Sequence, residues 1–259
     1  MSPSEPPNAR SALERRRDAG SLDWTGPATM LFARSILAVL AQGLVAAALA
    51  LQGSAAPWRD AGRWFPVYAT LIDAGCLALL LGLMRREGGR LADLLGGRRA
   101  RLGRDVALGL ALIPLCLVFI LGGVTAASWL VYGSPHPPAI FRPLPLPAAL
   151  YATFVFPPIW GVVEQMTYNG YLAPRIQVVA RSTVVAVALV GFFWSFQHAV
   201  MPAAFDWRWV LYRTISPVPF SIFVILVYLR LRRLAPLAVA HGLMDGADAF
   251  RSSLWPLLQ

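Results

Sequence analysis

The sequence predicts an all-α, polytopic transmembrane helical bundle of about seven spans, with room for one short interfacial helix. Three observations carry that class. Of 259 residues, 57% are hydrophobic and only 14% charged, with a mean hydropathy of +0.58, whereas soluble domains carry about 25% charged residues. Apolar runs of about 20 residues, enough to cross a hydrocarbon core about 30 Å thick, recur along the chain. All 23 basic residues are arginine, and most crowd into the polar tail and alternate gaps between those runs, as the positive-inside rule expects.

The elements follow in chain order. Residues 1–27 are polar and read as a cytosolic tail, and residues 28–259 as a single transmembrane domain. The first apolar run is too long for a signal-peptide core, and Asp18 directly after Arg16-Arg17 does not suit a twin-arginine signal, so an uncleaved first span is expected. Spans are expected at 28–51, 64–84, 105–132, 149–173, 183–203, 209–230 and 235–257. With the amino terminus inside, the cytosolic gaps hold Arg85 to Arg104, then Arg175 and Arg181, then Arg230, Arg232 and Arg233, and the carboxyl terminus lies outside. Leu91 to Leu95, flanked by glycine pairs, suits either an interfacial helix on anionic lipid or a plain basic loop. The proline-dense segment from Ser134 to Pro147 reads as an extended outer loop, with His136 exposed. Cys76 and Cys116 sit inside apolar runs without metal-ligand spacing and read as buried small hydrophobes.

The formal charge of +10 does not imply nucleic acid. The arginines occupy short connections beside spans and not a basic face interleaved with aromatics. The expected partner is the lipid bilayer, and the compact, arginine-only chain points to a bacterial inner membrane.

Ionisable groups inside spans are costly and mark functional sites. Glu164, the only glutamate after residue 87, lies near the middle of the fourth span, one to two turns beyond Pro157-Pro158. Those prolines should open the helix and free carbonyls that must face protein or water. His198 and His241 lie in later spans, and Asp245 follows His241 at i+4 on the same helix face. Arg34, Asp73, Arg213, Asp248 and Arg251 also fall within spans or at their ends and read as helix-packing or snorkelling groups.

Three motifs on separate spans carry a resemblance. They are Glu164-Gln165-xxx-Asn169, Trp194-xxx-His198 and His241-xxx-Asp245. Over about residues 64–250 the chain resembles the CPBP family of intramembrane proteases, the CAAX-protease and bacteriocin-processing group. Its motifs are EExxxR, FxxxH and HxxxN or HxxxD. The resemblance implies an intramembrane endopeptidase acting on a membrane-associated peptide with a hydrophobic or lipidated tail. Glu164, helped by His198, would activate a water, while His241 and Asp245 would hold the developing oxyanion. A metal-free site is favoured, since no HExxH occurs; a zinc site would have to be assembled from Glu164, His198 and His241.

Gln165, Asn169 and Trp194 depart from the commonest family pattern and are expected to support the catalytic groups structurally. Gln165 and Asn169, four apart, should hydrogen-bond as a neutral substitute for an ion pair, leaving no buried orphan charge. An ionised Asp245 could not donate to an oxyanion, so either it is protonated in its apolar site or it orients His241, and orientation is the favoured reading. Two other readings remain. One is a non-catalytic relative serving as a membrane binding, immunity or scaffold protein. The other is a proton-relaying transporter, for which the chain offers no inverted repeat.

Overall fold

A computed structural model describes residues 8–96, 101–136 and 143–259, and among them the only regular elements are helical. The chain runs through α1 (Arg10–Asp18), α2 (Thr25–Leu51), α3 (Pro57–Gly62), α4 (Phe65–Arg86), a 3-10 turn (Leu91–Leu95) and α5 (Leu102–Tyr132). It continues with α6 (Leu146–Phe154), α7 (Phe156–Gln165), a π-helical segment (Met166–Leu172) and α8 (Ala173–Val179). The last part comprises α9 (Thr183–Gln197), α10 (Trp207–Ile215), α11 (Val218–Leu231) and α12 (Ala235–Ala249), closed by short π and 3-10 turns.

Among the described residues five helical segments have the length and composition to cross a membrane: Thr25–Leu51, Phe65–Arg86, Leu102–Tyr132, Leu146–Val179 and Trp207–Leu231. The expected span at 183–203 is helical only through the 15-residue α9, about 22 Å at 1.5 Å per residue and short of a full crossing. The one expected at 235–257 is helical throughout, α12 running on without a break into the π turn Phe250–Leu254 and the 3-10 turn Trp255–Leu257.

After α9 the backbone leaves the helix, and the freed carbonyls find internal partners. The buried Arg213 donates to the His198 and Met201 carbonyls at 3.1 Å each. Gln42, wholly buried on α2, clasps Ala203 through both its backbone groups. Irregular backbone at membrane depth survives only where protein or water satisfies it.

The polar tail is folded where it is described. Helix α1 buries Leu13 against Leu22 and Val178, and Arg17 caps the Val178 carbonyl at the end of α8 at 3.0 Å. Asn8 donates to the Gly170 carbonyl at 2.7 Å. A tail rich in arginine can thus bond to the orphan carbonyls that a helix end presents. The turn at Leu91–Leu95 is likewise tucked in, with Leu94 fully buried. The middle of the proline-dense loop, 137–142, lies outside the described residues, whereas Leu146 and Pro147 already belong to α6. Cys76 and Cys116 are both buried and free.

Every residue from Val163 to Val178 is buried, so the α7 to α8 segment is encased by the rest of the bundle. It crosses α12 closely because the contact is glycine on both sides. A Cβ on Gly161 would lie 3.0 Å from the Gly242 nitrogen, and one on Gly242 would lie 3.1 Å from the Pro157 carbonyl oxygen. Gly242 and Gly246 are spaced as G-x-x-x-G, the pattern that lets helix backbones approach in lipid. Glu164, one turn beyond Gly161, is thereby set against His241, the neighbour of Gly242.

Candidate active site

The helix breaks at Val155, just before Pro157 and Pro158 in the first turn of α7. Two turns later Glu164 and Gln165 end α7, and the chain widens into the π segment. Such π turns occur often at functional sites. Glu164, Gln165 and Asn169 are all completely buried.

A hydrogen-bonded chain connects these residues. The Asn169 side-chain amide donates to Gln165 Oε1 at 2.6 Å, the pairing expected of the two neutral amides. The Gln165 Nε2 group lies 3.2 Å from His241 Nδ1. An amide nitrogen can only donate, so Nδ1 accepts and the ring proton of a neutral imidazole resides on Nε2. His241 Nε2 in turn lies 3.2 Å from Glu164 Oε2 and 3.5 Å from Asp245 Oδ2. Gln165 therefore sets the tautomer that presents an N–H to the two carboxylates.

The other Glu164 oxygen meets a second chain. Gln197 Nε2 donates to Glu164 Oε1. Gln197 Oε1 accepts from Arg34 Nε at 2.9 Å and from the Tyr168 hydroxyl at 3.1 Å. Arg34 is paired with Asp73 at 3.0 Å and lies over the Trp160 ring at 4.1 Å from its centroid. These groups span α2, α4, α7, the π segment and α9, and all are buried.

His198 stands just beyond the end of α9 and is half-buried. Its Nδ1 donates to the Trp194 carbonyl at 2.9 Å, which leaves the Nε2 lone pair free. Glu164, Arg213 and His241 lie within electrostatic reach of the ring. Trp194, fully buried, stacks on Tyr168 with 7° between rings and forms a wall beside His241. The structure thus brings Glu164, Gln165, Asn169, His241 and Asp245 into one connected cluster, with Trp194 beside it. His198 lies near that cluster without a direct hydrogen bond to Glu164.

Sequence reasoning passed over Gln197 and Tyr168 and treated Arg34 and Asp73 as packing groups. The available signal was the rarity of charge inside spans, together with an amide directly before His198. Glu164 Oε2, Asp245 Oδ2 and Asn169 Oδ1 have no hydrogen-bond partner within the protein. His241 Nε2 stands 3.2 Å from Glu164 Oε2 as an ion-pair contact, without the alignment of a hydrogen bond. Among the described residues no three His, Cys, Asp or Glu side chains are gathered to hold a metal ion.

Residues 143–247 match the family described as Type II CAAX prenyl endopeptidase Rce1-like. The matched stretch begins just before α6 and ends two residues past Asp245, enclosing all three motifs. It is consistent with the CPBP intramembrane proteases that those motifs resemble, and it supports an endopeptidase of the membrane at the level of the family. No curated protein and no solved structure matches the chain.

Proposed function

Taking the Rce1-like match over residues 143–247 as premise, we propose that this protein is an intramembrane endopeptidase in which Glu164 activates water against a peptide carbonyl. The substrate is a membrane-associated peptide with a hydrophobic or lipidated tail. The enzyme resides in a bacterial inner membrane with its amino terminus in the cytoplasm. The observation that carries the reading is a wholly buried glutamate whose Oε1 is held by Gln197 and whose Oε2 lacks a hydrogen-bond partner.

In this mechanism Glu164 takes a proton from water as its oxygen attacks the scissile carbonyl carbon. The His198 Nε2 lone pair accepts the water's other hydrogen as a hydrogen bond and fixes the direction of attack. The carbonyl oxygen becomes an oxyanion, and the Nε2–H of His241 donates to it. Donors pre-aimed at such charge contribute most where water is excluded. Asp245, an acceptor 3.5 Å from Nε2, orients the His241 ring in the resting site and does not touch the oxyanion; during the reaction the ring is held at Nδ1 by Gln165. As the C–N bond breaks, protonated Glu164 returns its proton to the leaving amine, giving a carboxylic acid and an amine; the acid's proton then passes to the amine, leaving a carboxylate and an ammonium and the site restored. The chemistry asks no cofactor of the chain.

The second reading is a non-catalytic relative that binds a membrane peptide in the same pocket. The neutral Gln165 and Asn169, where the family pattern has Glu and Arg, favour it. The two separate in one experiment. Protein in liposomes is offered a library of tailed peptides, alongside Glu164→Ala, His198→Ala and His241→Ala. Cleavage by the wild type and by none of the variants is expected. Tight binding of a peptide with no cleavage would favour the second reading.

A further inference from the structure

The π segment that carries Asn169 has a gap in its hydrogen bonding, and the group that fills it comes from the far end of the sequence. The Ala173 N–H reaches back five residues to the Tyr168 carbonyl, the π spacing. The next residue is Pro174, which has no N–H, so the Gly170 carbonyl lacks the donor four residues on that an α-helix would give it. Gly170 is buried, and a Cβ there would meet Leu234 at 2.9 Å and the Leu94 carbonyl at 3.2 Å, so its surroundings are packed. A buried carbonyl needs a partner, and at such a place the protein must supply it.

Asn8 does so. Its Nδ2 donates to the Gly170 oxygen at 2.7 Å and stands 3.4 Å from the Tyr228 hydroxyl. A carbonyl only accepts, so the bond to Gly170 orients the amide by itself and turns Oδ1 towards Arg175 Nη1, at 3.1 Å. Helix α1, which starts two residues later, is seated on its own account. Leu13 is wholly buried against Leu22 and Val178, Arg17 bonds the Val178 carbonyl at 3.0 Å, and Arg16 faces Glu87 at 3.6 Å. The amino-terminal segment therefore bonds carbonyls at both ends of α8, Gly170 ahead of it and Val178 in its last turn. Asn8 and α1 lie outside residues 143–247, the stretch that matches the family.

The Gly170 carbonyl adjoins the site. Asn169, the residue before it, donates to Gln165 Oε1 at 2.6 Å, and Gln165 Nε2 stands 3.2 Å from His241 Nδ1. Because π turns are rare on their own account, the geometry that aims Asn169 at Gln165 depends on what holds the segment in place.

We propose that Asn8 is a positioning residue of the active site. By donating to the Gly170 carbonyl it fixes the π segment from which Asn169 and Gln165 hold the His241 ring in one tautomer. The proposal rests on the endopeptidase reading for the word active, but the positioning itself is read on His241 without any cleavage.

The test is nuclear magnetic resonance of the histidine rings. The chain holds three histidines, His136, His198 and His241, so full-length protein carrying ¹⁵N only in histidine gives three ring systems, with His241→Gln for assignment. Long-range ¹H–¹⁵N spectra in detergent tell a protonated ring nitrogen from a bare one. In the wild type His241 is expected as a single tautomer, Nδ1 bare and Nε2 protonated. Asn8→Asp cannot donate to Gly170 yet can still face Arg175, and in it both tautomers of His241 should be populated while His136 is unchanged. Leu13→Ala, which unseats α1 and leaves Asn8 in the chain, should do the same and decides the matter if Asn8→Asp does not fold. A folded Asn8→Asp with the wild-type His241 signals overturns the proposal, as does a wild type in which His241 is not held in one tautomer. With a cleaved peptide, kcat of both variants should fall on the order of 10- to 100-fold with KM little changed, and an unchanged kcat in folded Asn8→Asp overturns the proposal too. A wild type that cleaves no peptide, with His241 responding as expected, would remove the endopeptidase reading and leave the positioning standing.

Discussion

The segment Leu146–Val179 carries two buried polar clusters a few turns apart, and they are built on opposite principles. Near its arginine end, Arg175 is closed on every side. Its Nε and Nη2 grip Glu87 at 2.7 to 2.9 Å, its Nη1 bonds Asn8 Oδ1 and the Tyr171 carbonyl, and its guanidinium lies 4.0 Å from the centroid of the Tyr171 ring. Tyr171 adds its hydroxyl to Glu87 at 2.8 Å. Around Glu164 the same span assembles carboxylates, amides and an imidazole, yet leaves Glu164 Oε2, Asp245 Oδ2 and Asn169 Oδ1 without hydrogen-bond partners. A closed charge pair holds helices together; open acceptors in a buried place cost stability and are kept where chemistry needs them.

Mutations that exchange those roles should fail in different assays. The largest effect falls on Glu164→Gln, which keeps the Glu164 volume but removes the base. Cleavage should drop by roughly 10²- to 10⁴-fold, the range of general base catalysis, with the unfolding midpoint in detergent little changed. Next is Arg175→Met, which leaves Glu87 only the Tyr171 hydroxyl and Arg16 at 3.6 Å. It should cost about 1–3 kcal/mol in denaturant unfolding, while Arg175→Met with Glu87→Gln should recover a good part of that loss. Both variants, wherever they fold, should retain the catalytic rate.

A more discriminating effect concerns the neutral pair. Gln165→Glu introduces a second carboxylate beside Glu164 and removes the donor that fixes the His241 tautomer. It should lower stability by roughly 1–3 kcal/mol. Gln165→Glu together with Asn169→Arg supplies the counter-charge and should lower it less. Equal losses in thermal unfolding would show that the two amides do not act as a pair. At the small end, Arg251→Ala breaks only the exposed contact to Asp248 and should change stability by no more than about 0.5 kcal/mol.

Much of this organisation was legible in the residues, and the limits have physical causes. Glu164 was conspicuous because ionised groups are rare in lipid-facing sequence. The pairs Gln165 with Asn169 and His241 with Asp245 were readable because i and i+4 share a helix face. Both pairs are local. The link from Glu164 through Gln197 to Arg34 and Asp73 joins residues 33 to 163 positions apart, and no periodicity records such a contact. The π segment was invisible for a related reason, since a widened turn leaves no mark in side-chain pattern. Helix α1 read as tail because its burial rests on one leucine, and its Arg17 bonds the Val178 carbonyl at the end of α8. The span at 183–203 was drawn by hydropathy, which cannot register that α9 stops at Gln197 to place His198 in a loop.

The central claim is that Glu164 activates water and does not itself attack the peptide. Single-turnover cleavage in ¹⁸O-enriched water, with enzyme in excess over a cleaved peptide, tests this most directly. Water attack predicts one ¹⁸O in the new carboxyl terminus of the first-turnover product, and no product from Glu164→Gln. An unlabelled first-turnover carboxylate, its oxygen drawn from the protein, would contradict the account.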